Sequence, residues 1–168
     1  MNPLTPPPEA SQRLPHLMCS VGFAIWQLQE LENTAAAYVV VRLRETRGVG
    51  AERGSEVAAQ VERRTLGSLI SELRKAGVVP EELAVGLTEL LHERNWLVHS
   101  ARRETRGALS DEARFGDLIV RLEMTADRAL TLTIQLARVI DEFVRQTGVS
   151  PALLDAEAER LARSWGFE

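Results

Sequence analysis

Residues 17–44 read LMCSVGFAIWQLQELENTAAAYVVVRLR, and one apolar face runs through the whole stretch. Its apolar residues recur every three or four positions, at Leu17, Val21, Ile25, Leu28, Leu31, Ala35, Val39 and Leu43. Because an α-helix turns once in about 3.6 residues, this spacing places them all on one side of a helix roughly seven turns long. The stretch therefore predicts a long helix that buries one face against other elements.

The composition of the whole chain favours the same class. Leucine, alanine, glutamate and arginine, which all form helices well, supply 81 of the 168 residues, whereas aromatic residues supply only 5%. The predicted further helices span residues 55–77, 80–103, 110–145 and 150–165, with Ser110 as the N-cap of the longest. We expect an all-α fold, a single up-and-down bundle of four main helices plus a short C-terminal helix. The first and fourth helices are expected to be antiparallel.

The chain is predicted to hold one domain behind a short lead. Residues 1–15 contain five of the seven prolines and few apolar residues, so they are expected to be disordered, and residues 16–168 to form a single helical domain. The only cysteine, Cys19, excludes an internal disulfide, and no apolar run is long enough to span a bilayer. A cytoplasmic location without membrane contact is the expectation.

The charge pattern limits the possible nucleic-acid contacts. A net charge of −4 argues against a protein whose whole surface grips nucleic acid, but it leaves room for a local basic site. Such a site is predicted at Arg102, Arg103 and Arg106, which follow one another at the end of the third helix. The same three charges also suit a helix C-terminus, where cations meet the negative end of the dipole.

The third helix carries the candidate chemistry. On a helical wheel Arg94 falls on the core-facing stripe, where a guanidinium must pair with a carboxylate, extend to solvent or face a cleft. The candidate carboxylates are those of Glu30, Glu32 and Glu72. Asn95 and His99 lie one turn apart on the polar side, where His99 is either a catalyst or an ordinary solvated imidazole.

Two features of this helix point to a second subunit. Arg94 and His99 are about 140° apart on a continuous helix. They therefore meet only if the arginine curls round, if the helix loosens near Ser100, or if two chains share a cleft. Trp96 is expected on the face away from the core, which suggests a homodimer interface there.

Metal and nucleotide chemistry lack support in the sequence. The chain contains no HExxH, P-loop or GxGxxG motif, and His16 and His92 have no acidic partner at ligand spacing. Cys19 is interpreted as a small core residue rather than a nucleophile. We expect neither a metal site nor a cofactor.

The stretch Glu93–Ser100, ERNWLVHS, resembles the signature of the HEPN superfamily of helical domains. In that signature an arginine, commonly followed by a polar residue, is separated from a histidine by four to six intervening residues. Here Asn95 follows Arg94, and four residues separate Arg94 from His99. Leu31-Glu32 and the stretch Thr65–Ile70 are similar to elements of several HEPN-like families. The resemblance covers roughly residues 17–145.

This resemblance implies a metal-independent endoribonuclease, often a toxin or defence effector, that works as a homodimer. His99 would act in proton transfer around the ribose 2′-hydroxyl, and Arg94 would hold the scissile phosphate. Asn95 would orient either His99 or the phosphate. An antitoxin or other companion protein is a further expected partner. One HEPN branch carries a modifiable tyrosine two residues after the histidine, where this chain has Ala101. The alternative is a non-catalytic HEPN-like interaction or regulatory module.

Overall fold

The structure, a computed structural model, describes residues 10–44, 51–148 and 150, together with the single positions 152, 156, 159 and 163. Within these residues every regular element is helical, which confirms the predicted all-α class. Two short 3-10 turns cover Ala10–Gln12 and Ala108–Ser110. The α-helices are α1 (Arg13–Leu43), α2 (Ala51–Glu62), α3 (Leu66–Lys75), α4 (Glu81–His99), α5 (Ala101–Thr105) and α6 (Glu112–Gln146).

The two longest helices, α1 and α6, pack along each other in the same direction. At their starts, Nη2 of Arg13 lies 3.6 Å from Oε2 of Glu112. Near their ends, the Arg42 guanidinium lies 4.2 Å from the ring centroid of Phe143. The predicted antiparallel pairing of the first and last long helices is therefore wrong.

The parallel pairing follows from a turn that the sequence analysis did not predict. The segment 55–77, predicted as one helix from Ser55, is two helices, because the chain turns at 63–65 between α2 and α3. Thr65 caps α3 by accepting a hydrogen bond from the Ser68 amide, and the Glu32 carboxylate accepts one from the Leu66 amide. Because of this additional reversal, α3 runs in the same direction as α1. The helices that follow, α4 and α6, therefore each run opposite to the predicted direction.

Close contacts at glycine fix the position of α4 between α3 and α6. A Cβ on Gly67 of α3 would lie 3.3 Å from a Leu91 methyl carbon, and one on Gly86 of α4 would lie 3.0 Å from a Leu132 methyl carbon. At both points a leucine side chain packs directly on the glycine backbone, because the glycine has no side chain of its own. Before α4, Gly77 has a φ of +64° and ends α3, as the sequence predicts.

The predicted third helix also ends earlier than expected. It stops at His99, since Ser100 leaves the helical conformation with φ −121° and ψ −28°, and the short helix α5 follows separately. The predicted N-cap Ser110 is wrong as well. Ser110 belongs to a 3-10 turn held against the core by buried Ala108, and the Asp111 carboxylate caps α6 through the Arg114 amide at 3.2 Å.

The predicted lead is too long, because residues 10–15 are helical. Arg13 anchors this end of α1: its guanidinium donates to the Leu109 carbonyl at 3.3 Å and lies 5.8 Å from the Phe115 ring centroid. Pro15 is tolerated in the first turn of α1, where its missing amide leaves no helical hydrogen bond unmade. Residues 1–9 lie outside the described residues. So does most of the predicted fifth helix, of which positions 152, 156, 159 and 163 are helical.

The helix α3 contacts the C-terminal half of α1, where Glu32 accepts the Leu66 amide and Arg44 pairs with Glu72. In that half Ala36 is buried, and Val40 and Leu43 are half-buried. In the N-terminal half the same side of α1 is open to solvent. We call it the exposed apolar face of α1. Its residues, 37% to 65% exposed, are Leu14, Met18, Ile25 and Trp26.

No helix in the described ranges combines the length and the apolar character needed to cross a bilayer.

Candidate active site at the end of α4

The three motif residues lie on the last two turns of α4. Arg94 is half-buried, whereas Asn95 and His99 are exposed. The Ser100 amide still donates to the Trp96 carbonyl at 2.8 Å, so the helix is intact across the motif and loosens only after His99. Arg94 and His99 therefore keep their separation of about 140° around the helix, rising about 7.5 Å along it.

Arg94 has no carboxylate partner among the described residues. The contact recorded for its guanidinium is a long hydrogen bond of 3.5 Å from Nη1 to Oδ1 of neighbouring Asn95. The predicted pairing with Glu30, Glu32 or Glu72 is wrong. Glu32 accepts the Leu66 amide and Glu72 binds two other arginines, so both carboxylates already have partners. The guanidinium remains available for an anionic ligand.

Glu72, within α3, connects this helix to the ends of α1 and α2. Its two carboxylate oxygens accept hydrogen bonds from Arg44, after α1, and from Arg64, in the turn between α2 and α3. These bonds hold the pKa of Glu72 below its ordinary value, and burial opposes them more weakly. The network fixes the position of α3, against which the middle of α4 packs.

Trp96 faces inward, not away from the core as predicted. It is half-buried against the hydrophobic core, and the Arg121 guanidinium of α6 lies 3.4 Å from its ring centroid. Arg121 also forms a two-bond pair with Glu93, at 2.8 Å and 3.3 Å. Glu93, Trp96 and Arg121 thus lock α4 to α6, which holds the motif helix in place.

The three arginines predicted to bind RNA lie just beyond the motif. Arg102 and Arg103 are exposed on α5, and Arg106 is exposed in the turn that follows. Because Ser100 is not helical, the regular spacing of side chains along α4 does not extend to these residues. None of the three is ion-paired with a described side chain, so all three charges face solvent.

The remaining candidate reactive or metal-binding residues form no second site among the described residues. Cys19 is exposed rather than part of the core, so its predicted packing role is wrong. His16 contacts the edge of Phe115, with ring centroids 5.8 Å apart. Over the described ranges no group of three or more His, Cys, Asp or Glu side chains is arranged to hold a metal ion.

The exposed apolar face of α1 was not predicted from the sequence. The sequence does indicate it, because no Asp, Glu, Lys or Arg occurs between Arg13 and Glu30. Val98 and Arg94 lie within about 60° of Leu91 on the α4 wheel. Leu91 packs on Gly67 at the start of α3, so Arg94 and Val98 lie beyond the part of α4 that α3 contacts there. Val98 is 53% exposed.

The chain was compared with protein-family models, with curated proteins and with solved structures, and none of them matches it.

Proposed function

We propose that this protein is a metal-independent endoribonuclease of the HEPN type. One observation carries the proposal: the Arg94 guanidinium lies half-buried without a carboxylate partner in the described structure, on the same two helical turns as exposed Asn95 and His99. A structural arginine at such a position is ordinarily ion-paired. An arginine kept available for an anion, on the same helix as an exposed imidazole, suits phosphate-ester chemistry.

The reaction assigned to the site is intramolecular transesterification of RNA. His99 takes the proton of a ribose 2′-hydroxyl, the 2′-oxygen forms a bond to the adjacent phosphorus, and the bond from phosphorus to the 5′-oxygen breaks. The departing 5′-oxygen receives a proton from a second imidazole or from water. Arg94 binds the non-bridging oxygens and stabilises their added charge, and Asn95 orients the phosphate or His99. The products are a 2′,3′-cyclic phosphate and a 5′-hydroxyl.

A homodimer is part of this proposal. Arg94 and His99 of one chain lie on different sides of α4, so a cleft between two chains lets the arginine of one serve the histidine of the other. We place the interface at the exposed apolar face of α1 rather than at Trp96, because Trp96 is half-buried under Arg121, whereas Met18 and Trp26 are more than half exposed. The exposed side chains of that face have the apolar and aromatic character of an interface centre.

The dimer is tested by light scattering. Wild-type protein at micromolar concentration is expected at twice 18.7 kDa, and Trp26→Glu is expected to be monomeric because it buries a charge at the interface centre. Val120→Glu, at an exposed position on α6, is the control and should remain dimeric. A monomeric wild type would remove the shared cleft.

Cleavage and sharing of the site are tested with purified protein and a short RNA. Replacing the scissile ribose by 2′-deoxyribose should block cleavage, and the normal product should end in a cyclic phosphate. Arg94→Ala and His99→Ala, each inactive alone, should regain about one quarter of wild-type activity when mixed as subunits, because half of the random dimers are mixed and each has one intact site. Intact RNA together with tight binding of a companion protein would favour the non-catalytic module.

A further inference from the structure

The surface between α3 and α4 forms a groove that ends one turn before the motif. The groove is about 480 Å³ in volume and its lining residues are Gly67, Ile70, Ser71, Arg74, Lys75, Thr88 and Leu91. Gly67 permits the close approach of the two helices, which sets the floor of the groove. Ile70 and Leu91 give this floor an apolar surface, while Ser71 and Thr88 place hydroxyl groups along its walls.

The far end of the groove is positively charged. Arg74 and Lys75, in the last turn of α3, are both exposed and neither is ion-paired with a described side chain. The recorded side-chain contact of Arg74 is a 3.5 Å hydrogen bond from Nη1 to the Thr88 hydroxyl, which directs the guanidinium across the groove. The carboxylate nearest in sequence, Glu72, is on the opposite side of α3, bound to Arg44 and Arg64.

The other end of the groove lies at Leu91. Leu91, Asn95 and His99 follow one another at intervals of four residues, so they form one row along α4 that continues from the groove to the motif. From Thr88 in the groove lining to His99, the distance along the helix axis is about 16 Å. Cationic, apolar and ring-bearing side chains in line are the components of a single-strand nucleic-acid track.

We propose that the α3–α4 groove binds the substrate as a single RNA strand, with Arg74 and Lys75 holding phosphates about three helical turns from the motif. This inference rests on the ribonuclease proposal for its substrate class. It goes beyond that proposal by assigning the strand a path within one protomer, outside the predicted arginines at 102, 103 and 106. The groove's apolar floor would contact sugars and bases, and the two cations would supply a salt-dependent share of the affinity.

The test measures binding separately from cleavage. Binding of a fluorescent RNA of about 8 nucleotides, a length typical of such tracks, is titrated at several salt concentrations with His99→Ala, which keeps the probe intact. Adding Arg74→Ala and Lys75→Ala is expected to weaken binding about tenfold at low salt. It should also reduce the slope of log affinity against log salt by about 1.4, since each single-strand phosphate contact contributes about 0.7.

A charge-matched control separates a local contact from a general charge effect. Arg53→Ala with Arg138→Ala removes the same two charges from α2 and α6, outside the groove lining, and should change neither affinity nor slope. Equal losses in both double variants, or unchanged binding in the Arg74/Lys75 variant, would overturn the groove assignment even if wild-type protein cleaves RNA. A complete lack of binding would overturn it as well, and wild-type cleavage then decides the ribonuclease proposal independently.

Discussion

Replacing Arg94 by alanine should disarm the protein without unfolding it. A buried arginine in an ion pair would leave an uncompensated carboxylate on removal, at a cost of about 3 to 5 kcal/mol. In this structure Arg94 is only half-buried, it has no carboxylate partner within the described ranges, and its hydrogen bond to Asn95 is long at 3.5 Å. The substitution therefore removes only the packing of the aliphatic part of the side chain. We expect it to lower the free energy of unfolding by less than about 1 kcal/mol.

Arg121→Ala is the matched comparison, because it removes the same side chain from the neighbouring helix α6. This change breaks the two-bond pair with Glu93 and the stacking on Trp96. Both interactions are partly exposed, so their sum is about 2 kcal/mol. Urea unfolding followed by circular dichroism measures both variants, and RNA cleavage is assayed on the same samples.

The expected pattern is opposite for stability and activity. Arg94→Ala should stay near wild-type stability and lose at least about a hundredfold in cleavage rate, as removal of a group that stabilises transition-state charge does. Arg121→Ala should lose stability and keep most of its activity while folded. A destabilisation of Arg94→Ala by more than about 3 kcal/mol would show that Arg94 is a structural residue, and the reasoning from its missing partner would be refuted.

Two further outcomes follow from the fold. Gly116→Ala in α6 should raise the melting temperature by about 2 to 4 °C, because an added Cβ there meets nothing within 4 Å. The same change at Gly77 should lower the melting temperature, because Gly77 has a φ of +64°. Thermal scans in which both variants shift the melting temperature in the same direction would contradict the assigned backbone. Because arginine hydrogen bonds lower the pKa of Glu72, this carboxylate stabilises the fold above the ordinary glutamate pKa of about 4.3, and the stabilisation is lost as the pH falls through the lowered pKa. Glu72→Gln should reduce this acid-dependent loss of stability in pH-resolved unfolding, and an unchanged pH profile would count against the network.

The sequence predicts the elements of this fold better than their directions. The heptad-like spacing after Leu17 and the Asp and Glu residues before Phe115 locate both long helices, because periodicity and capping are local signals. The turn at 63–65 is not predicted, since Thr65 caps α3 with help from Glu32, a residue 33 positions earlier in the chain. Missing that turn reverses the predicted direction of everything after it.

The candidate site shows the same division between local and distant information. The spacing of Arg94, Asn95 and His99 on one helix follows from the sequence alone. Their surroundings do not. Trp96 turns inward because Arg121 of α6 covers it. Within the described residues Arg94 forms no ion pair, and Glu32 and Glu72 bind other groups. Each of these outcomes depends on contacts between helices distant in sequence, which a wheel drawn for one helix does not contain.

The central claim, that His99 carries proton transfer in RNA cleavage, is tested most directly by comparing His99→Ala with His92→Ala. Both histidines are exposed on α4, so neither change should cost much stability. With purified, companion-free protein in excess EDTA, we predict that His92→Ala cleaves RNA within about tenfold of the wild-type rate, while folded His99→Ala loses at least about a hundredfold. Full cleavage by folded His99→Ala would contradict the account.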